Sequence, residues 1–137
     1  MMLSMMLLLT ALEAAPQSAS APYTPEQAAG GAIREIISAQ AYYKSTFPQR
    51  GYACSLARLV EVQALGEVWS TGKRVGGYSF KLWCEHAGTP QASYRASATP
   101  VNRAKGSTLA VCTDETNVPR TIDGDVKACF DRGVPQK

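Results

Sequence analysis

The chain holds a single histidine, His86, so any mechanism that needs two imidazoles is excluded. It contains no G-x-S-x-G, no phosphate-cradling Gly-rich loop and no dinucleotide fingerprint, which removes the common signatures of serine hydrolases, nucleotide hydrolases and Rossmann enzymes. No two cysteines stand as C-x-x-C, and structural zinc sites usually bring their ligands in such close pairs. Charge of one sign is also scarce: 14 Lys and Arg face 11 Asp and Glu, for a net charge of +3. A dedicated nucleic-acid binder is usually more basic. The longest apolar run, Met1 to Leu12, falls well short of the roughly 20 residues that a membrane-spanning helix requires. No stable membrane span is expected in this sequence.

What is there fits one small exported domain. The 137 residues suit a single domain, and 45% apolar with 18% charged residues excludes a wholly disordered chain. The apolar run is closed by Glu13 and followed by the small residues Ala14 to Ala21, the outline of a secretory signal peptide. Residues 1–21 are therefore expected to be a leader, cut between Ala14 and Ala21, with residues 22–137 as the domain. The competing reading is a truncated, longer hydrophobic segment. Four widely spread cysteines, Cys54, Cys84, Cys112 and Cys129, agree with export and read as two disulfides. Three connectivities are possible, and spacing does not choose between them.

Periodicity then divides the domain. Residues 24–47 have the pattern of a long helix: Thr24 as N-cap, Pro25 at the first helical position, and Gln27 completing a capping box. Ala29, Ile33, Ile36, Ile37, Gln40 and Tyr43 follow three- and four-residue steps and form one core-facing stripe, polar only at Gln40. Gly30-Gly31 predicts fraying of the first turns. A shorter helix is expected from Ser55 to Leu65, stopped by Gly66, with a loop over residues 66–77. The period then changes to two. Tyr78 to Cys84, Ala92 to Thr99, Leu109 to Cys112 and Val118 to Ile122 read as strands, the last an edge because Pro119 cannot donate to a ladder. Gly124 to Lys137 reads as a loop-like tail pinned by one Cys and one Phe. Helices segregated from strands predict an α+β domain, the long helix packed on a three- or four-stranded antiparallel sheet.

Several segments, taken in order, resemble a known family. Ala32-Ile33-Arg34-Glu35-Ile36-Ile37-Ser38-Ala39-Gln40-Ala41-Tyr42-Tyr43 is similar to the second half of the long helix of type IV pilins and type II secretion pseudopilins. Gly51-Tyr52-Ala53-Cys54-Ser55-Leu56, Gly77-Tyr78-Ser79-Phe80 and Ala92 to Pro100 resemble the segment after that helix and the first two strands. Val111 to Arg120, followed by Asp123-Gly124, resembles the third strand, tight turn and fourth strand. No run resembles the prepilin signature, a basic leader ending in Gly followed by Phe-Thr-x-x-Glu and a long apolar helix. The resemblance therefore implies the soluble head domain, carried out by a different leader. It also implies a C-terminal loop closed by Cys112–Cys129, with Cys54–Cys84 as the second bridge. The function so implied is non-enzymatic. The protein would act by contact with other pilin-like subunits or with pilus or secretion components, in the periplasm or outside the cell. The alternative is a periplasmic binding module, for calcium or another ligand, on the same scaffold.

Chemistry in the sequence is sparse. His86 follows Cys84 in an expected loop, with no nucleophile set beside it by any motif, and no catalytic residue is assigned. Ser79 and Lys81 share one strand face, a common surface pattern. The acidic residues Asp114, Glu115, Asp123 and Asp125 form the one candidate ion site, since calcium takes several oxygen ligands from flexible loops. Some pseudopilins bind calcium in their C-terminal loop, so the resemblance points the same way. The preferred reading is that turns use Asp for backbone reasons. No cofactor is expected otherwise. Lys73-Arg74 and Arg103-Lys105, near Trp69 and Tyr78, read as solvated loop charge, and no nucleic-acid partner is expected.

Overall fold

A computed structural model describes residues 24–70, 77–102 and 108–136. The leader expected at 1–21 and the basic spots Lys73-Arg74 and Arg103-Lys105 lie outside the described residues. The first helix, α1, spans Pro25–Thr46. Its start is closed by a reciprocal pair: Gln27 N donates to Thr24 Oγ1 at 3.2 Å and Thr24 N to Gln27 Oε1 at 2.9 Å. The segment that follows turns back into α2, Leu56–Glu61, capped by Ser55 Oγ accepting from Arg58 N. A 3₁₀ turn at Glu67–Trp69 leads towards the sheet.

The sheet contains β1 (Tyr78–Trp83), β2 (Arg95–Pro100), β3 (Leu109–Asp114), β4 (Arg120–Asp123) and β5 (Val134–Pro135), antiparallel and in sequential order. Between β4 and β5 lies α3, Val126–Arg132. The class is α+β, with α1 as the long helix. The two-residue alternation of the strands assigns the faces. Tyr78, Phe80 and Leu82 of β1, Ala96 and Ala98 of β2, and Val111 of β3 join Ala29, Ile33, Ile36 and Tyr43 of α1 in the main core. On the other face Ala110 and Cys112 of β3 meet Cys129 of α3, with Ile122 and Phe130 alongside. Burying an isoleucine such as Ile33 or Ile36 contributes about 1.5–3 kcal/mol, so the α1 stripe is a large share of what holds the domain together.

Two bridges tie these layers. Cys54, after α1, is joined to Cys84, just past β1, and Cys112 of β3 is joined to Cys129 of α3. Gln40 adds a polar tie inside the core. Fully buried, it donates from Nε2 to Ala53 O at 2.8 Å and accepts from Ala53 N at 2.9 Å, satisfying both backbone groups of the residue beside Cys54. Trp69, also buried, donates from Nε1 to Glu35 Oε1 at 3.1 Å and lies edge-on to Phe80.

Several expectations need correction. The sheet has five strands, not three or four. β4 is not an edge: Pro119 stands before its ladder, β5 pairs on its outer side, and Pro119 O itself accepts from Gln136 N at 2.8 Å. The tail is not a loop. Asp125 Oδ1 accepts from Ala128 N at 2.7 Å, which caps α3, and the chain then returns as β5. α2 ends at Glu61 rather than Leu65, because Gln63 takes a left-handed φ of 61° that no helix continues through. β2 starts at Arg95 rather than Ala92. Gly30 does not open the first turns of α1, which are continuous. Its missing side chain instead admits Gln136, whose Nε2 donates to Glu26 O at 3.1 Å and whose Oε1 accepts from Arg34 Nη1 at 3.2 Å.

Candidate functional site

The strand order leaves β1 with no strand partner on its outer side among the described residues. An open groove of about 560 Å³ lies against it. Lys81 and Trp83 point to the sheet face that carries α3, where they line the groove with Ser97 of β2 and Val126 of α3. Phe80, Leu82 and Leu56 of α2 complete the wall on the edge side. The lining is mostly apolar, with Lys81 the one charged side chain. Trp83 is held edge-on against Phe130 of α3, with ring centroids 5.8 Å apart, and the Arg95 guanidinium lies 4.5 Å from the other ring's centroid. Arg95 also pairs with Glu85 at 3.0 Å. The groove floor is therefore braced by α3, which is itself bolted to β3 by Cys112–Cys129. Such a surface offers apolar area beside a strand that has no strand partner on its outer side among the described residues, the two elements of strand-edge recognition.

A smaller and more polar pocket of about 160 Å³ sits near the β3–β4 turn, lined by Glu85, His86, Ser93, Tyr94, Arg95, Asp114 and Glu115. It gathers His86, a serine and carboxylates, yet it does not assemble a relay. Among the described residues His86 makes no hydrogen bond to Ser93 or to any of the three carboxylates, and it is exposed. Asp114 is committed elsewhere: Oδ1 accepts from Thr116 N at 2.9 Å and Thr116 Oγ1 at 2.6 Å, and Oδ2 lies 3.9 Å from Arg120. Partial burial pushes this carboxyl up, but the Thr116 hydrogen bonds and the charges of Arg120 and Arg95 outweigh it and hold the group below its ordinary value. Burial drives the Tyr94 phenol the other way, well above its ordinary value, with Tyr52, Asp114 and Glu115 adding to the shift. Its hydroxyl donates to Asn117 Oδ1 at 2.7 Å, fixing the turn, where Asn117 has a left-handed φ of 60°.

The acidic quartet is not one site. Asp114 and Glu115 lie at the turn end of the β3–β4 hairpin, whereas Asp123 pairs with Leu109 at the opposite end. At about 3.4 Å per residue the two ends stand about 17 Å apart. Asp125 spends its carboxylate on the α3 N-cap. Asp114, Glu115, Asp123 and Asp125 thus do not converge on a calcium ion. Among the described residues no group of three or more His, Cys, Asp or Glu is placed to hold a metal. Nor is any helix among them long and apolar enough to cross a membrane.

The groove was missed in the sequence because four separated segments build it. The one signal available was Trp83, a large aromatic on the expected outward face of a strand. No protein-family model, curated protein or solved structure matches the chain.

Proposed function

We propose that this protein is a pilin-like, non-enzymatic interaction protein, exported and working by contact with subunits of a type IV pilus or of a type II secretion apparatus. The observation that carries the reading is the layout. A long helix lies on one face of an antiparallel sheet, and a disulfide from the third strand holds the segment that follows the fourth. We read the Cys112–Cys129 segment as the counterpart of the pilin C-terminal disulfide loop, here filled by β4 and α3. Two disulfides suit an oxidising compartment and support export. The ordered likeness of residues 32–43, 51–56, 77–80, 92–100, 111–120 and 123–124 to pilin segments supports the family. The contact surface under this reading is the β1 edge with its groove, because an edge strand beside apolar side chains is what a neighbouring subunit can extend.

Deletion of the gene in the cell that makes the protein tests this. Surface piliation or type II secretion falls, and it returns with the parent gene but not with Trp83→Asp, provided that variant accumulates normally. Unchanged piliation and unchanged secretion in the deletion strain overturn the proposal.

A further inference from the structure

The C-terminal end of α1 carries a second cluster, on residues that the β1 groove does not use. Tyr43 is buried on α1 and Phe47 is half-buried at its C-cap, their ring centroids 5.0 Å apart. Two guanidiniums flank these rings. Arg58 of α2 donates from Nε to Tyr43 Oη at 3.3 Å, and its guanidinium carbon lies 5.8 Å from the Tyr43 centroid and 5.9 Å from that of Phe47. The Arg50 guanidinium carbon lies 5.6 Å from the same Phe47 centroid. Lys44, the next residue on α1, adds a third cation 4.6 Å from the Tyr52 ring.

The placement of Arg50 is built rather than incidental. Its N–H donates to Phe47 O at 2.9 Å, and its carbonyl accepts from Gln91 N at 2.8 Å. Gly51, next in the chain, has a φ of +74°, and a methyl there would run into the backbone of Gln91. Only glycine lets the two strands of chain approach so closely, and that approach fixes the root of the Arg50 side chain.

Electrostatically the arrangement is incomplete. Two like charges stand 5.6 and 5.9 Å from the centroid of the one Phe47 ring, and the Tyr43 phenol is their common neutral partner. Burial pushes the Tyr43 phenol up, but hydrogen bonds from Arg58 and Arg50 and the charges of both pull it below its ordinary value. One carboxylate answers them: Glu61 Oε2, 2.9 Å from Arg58 and on a largely exposed side chain. Arg50 pairs with no carboxylate among the described residues.

We propose that Arg50 and Arg58 form a binding site for a phosphoryl dianion, seated on the edges of the two guanidiniums above the Phe47 ring. A tetrahedral oxyanion matches two planar forks, each able to give paired N–H donors. The exposed Glu61 is the carboxylate that the ligand displaces from Arg58. The dianion can be free phosphate or the phosphate of a small phosphomonoester, and the chemistry of recognition is shared. The site rests on the fold alone and is independent of the proposed pilus or secretion role.

The test follows the arginine Nε–Hε signals by NMR as the full domain is titrated at constant ionic strength. One arm uses inorganic phosphate, one glucose 6-phosphate and one chloride. Saturable shifts of the Arg50 and Arg58 signals with either phosphate, and none with chloride, support the site. The tighter of the two phosphates identifies the source. Arg50→Ala and Arg58→Ala should each weaken binding about tenfold or more. Arg50→Lys, which keeps the charge but loses the fork, should weaken it too while preserving the dispersed amide spectrum of the fold. Shifts that never saturate and match those in chloride overturn the proposal. So does affinity that survives in a folded Arg50→Lys variant and in Arg58→Ala alike.

Discussion

Replacing Gln40 with alanine should cost more than the change of any other polar side chain on α1. Gln40 is fully buried, and its amide forms a two-bond pair with the backbone of Ala53. The substitution strands a buried N–H and a buried C=O, each at a cost of about 1–3 kcal/mol where no water replaces the amide. The expected loss is about 2–6 kcal/mol, a large part of the roughly 5–15 kcal/mol that stabilises a small domain. Urea unfolding followed by far-UV circular dichroism reads it as a fall in midpoint at unchanged slope. Gln40→Glu sharpens the test. A protonated carboxyl presents one donor and one acceptor in the shape of the amide, so it can restore both bonds, whereas the ionised form cannot donate to Ala53 O and is buried as a charge. Burial raises the pKa of such a group in the folded state. The stability of the variant, relative to the parent, should then be best below the unfolded value of about 4.3 and should fall as pH rises through the raised folded value. A loss under about 0.5 kcal/mol for Gln40→Ala, or a Gln40→Glu deficit that does not change between about pH 4 and pH 8, refutes the reasoning.

Three further outcomes are expected. Ile36→Ala should destabilise by about 2–5 kcal/mol, since Ile36 is wholly buried against the sheet; a urea midpoint near that of the parent would remove the helix stripe from the core. Cys112→Ala combined with Cys129→Ala should cost about 2–4 kcal/mol and raise amide exchange in residues 120–135 above that in α1, because the bridge is what fixes α3 to β3; exchange that rises equally everywhere would contradict this. Asp114 contributes stability that is present above its unfolded pKa of about 3.9 and is lost as pH falls through its lower folded value, so the acid limb of a melting-temperature profile should flatten in Asp114→Asn; an unchanged limb would show that the Thr116 and Arg120 contacts carry no such stability.

The parts legible in the sequence are those with long or repeated signals. α1 carries a capping box, a proline at its start and five apolar stripe positions over 22 residues, and the helix is found within a residue of its expected ends. β1 and β2 repeat their alternation often enough to be seen. The tail is different in kind. α3 is seven residues long and buries only Cys129, so it presents no stripe, and β5 is two residues of which one is proline. Both exist because tertiary contacts hold them: Cys112 for α3, and the ladder of β4 for β5. The acidic quartet failed for a reason of topology. Nearness along a hairpin is not nearness in space, and three further ladder pairs lie between the Leu109–Asp123 pair and the turn that holds Asp114 and Glu115. The Arg50 and Arg58 pair and the β1 groove escaped notice because each is assembled from segments that share no local motif.

The proposed role is tested most directly at the β1 edge. A photoreactive amino acid in place of Lys81, which is exposed on β1 and lines the groove, can be crosslinked in the cell that makes the protein and its adducts identified by mass spectrometry. The account predicts one dominant adduct, to a pilus subunit or a type II secretion component, which is lost when Trp83 is changed to Asp in a variant that still folds. Adducts confined to unrelated proteins, or an adduct pattern indifferent to the Trp83 change, would contradict it.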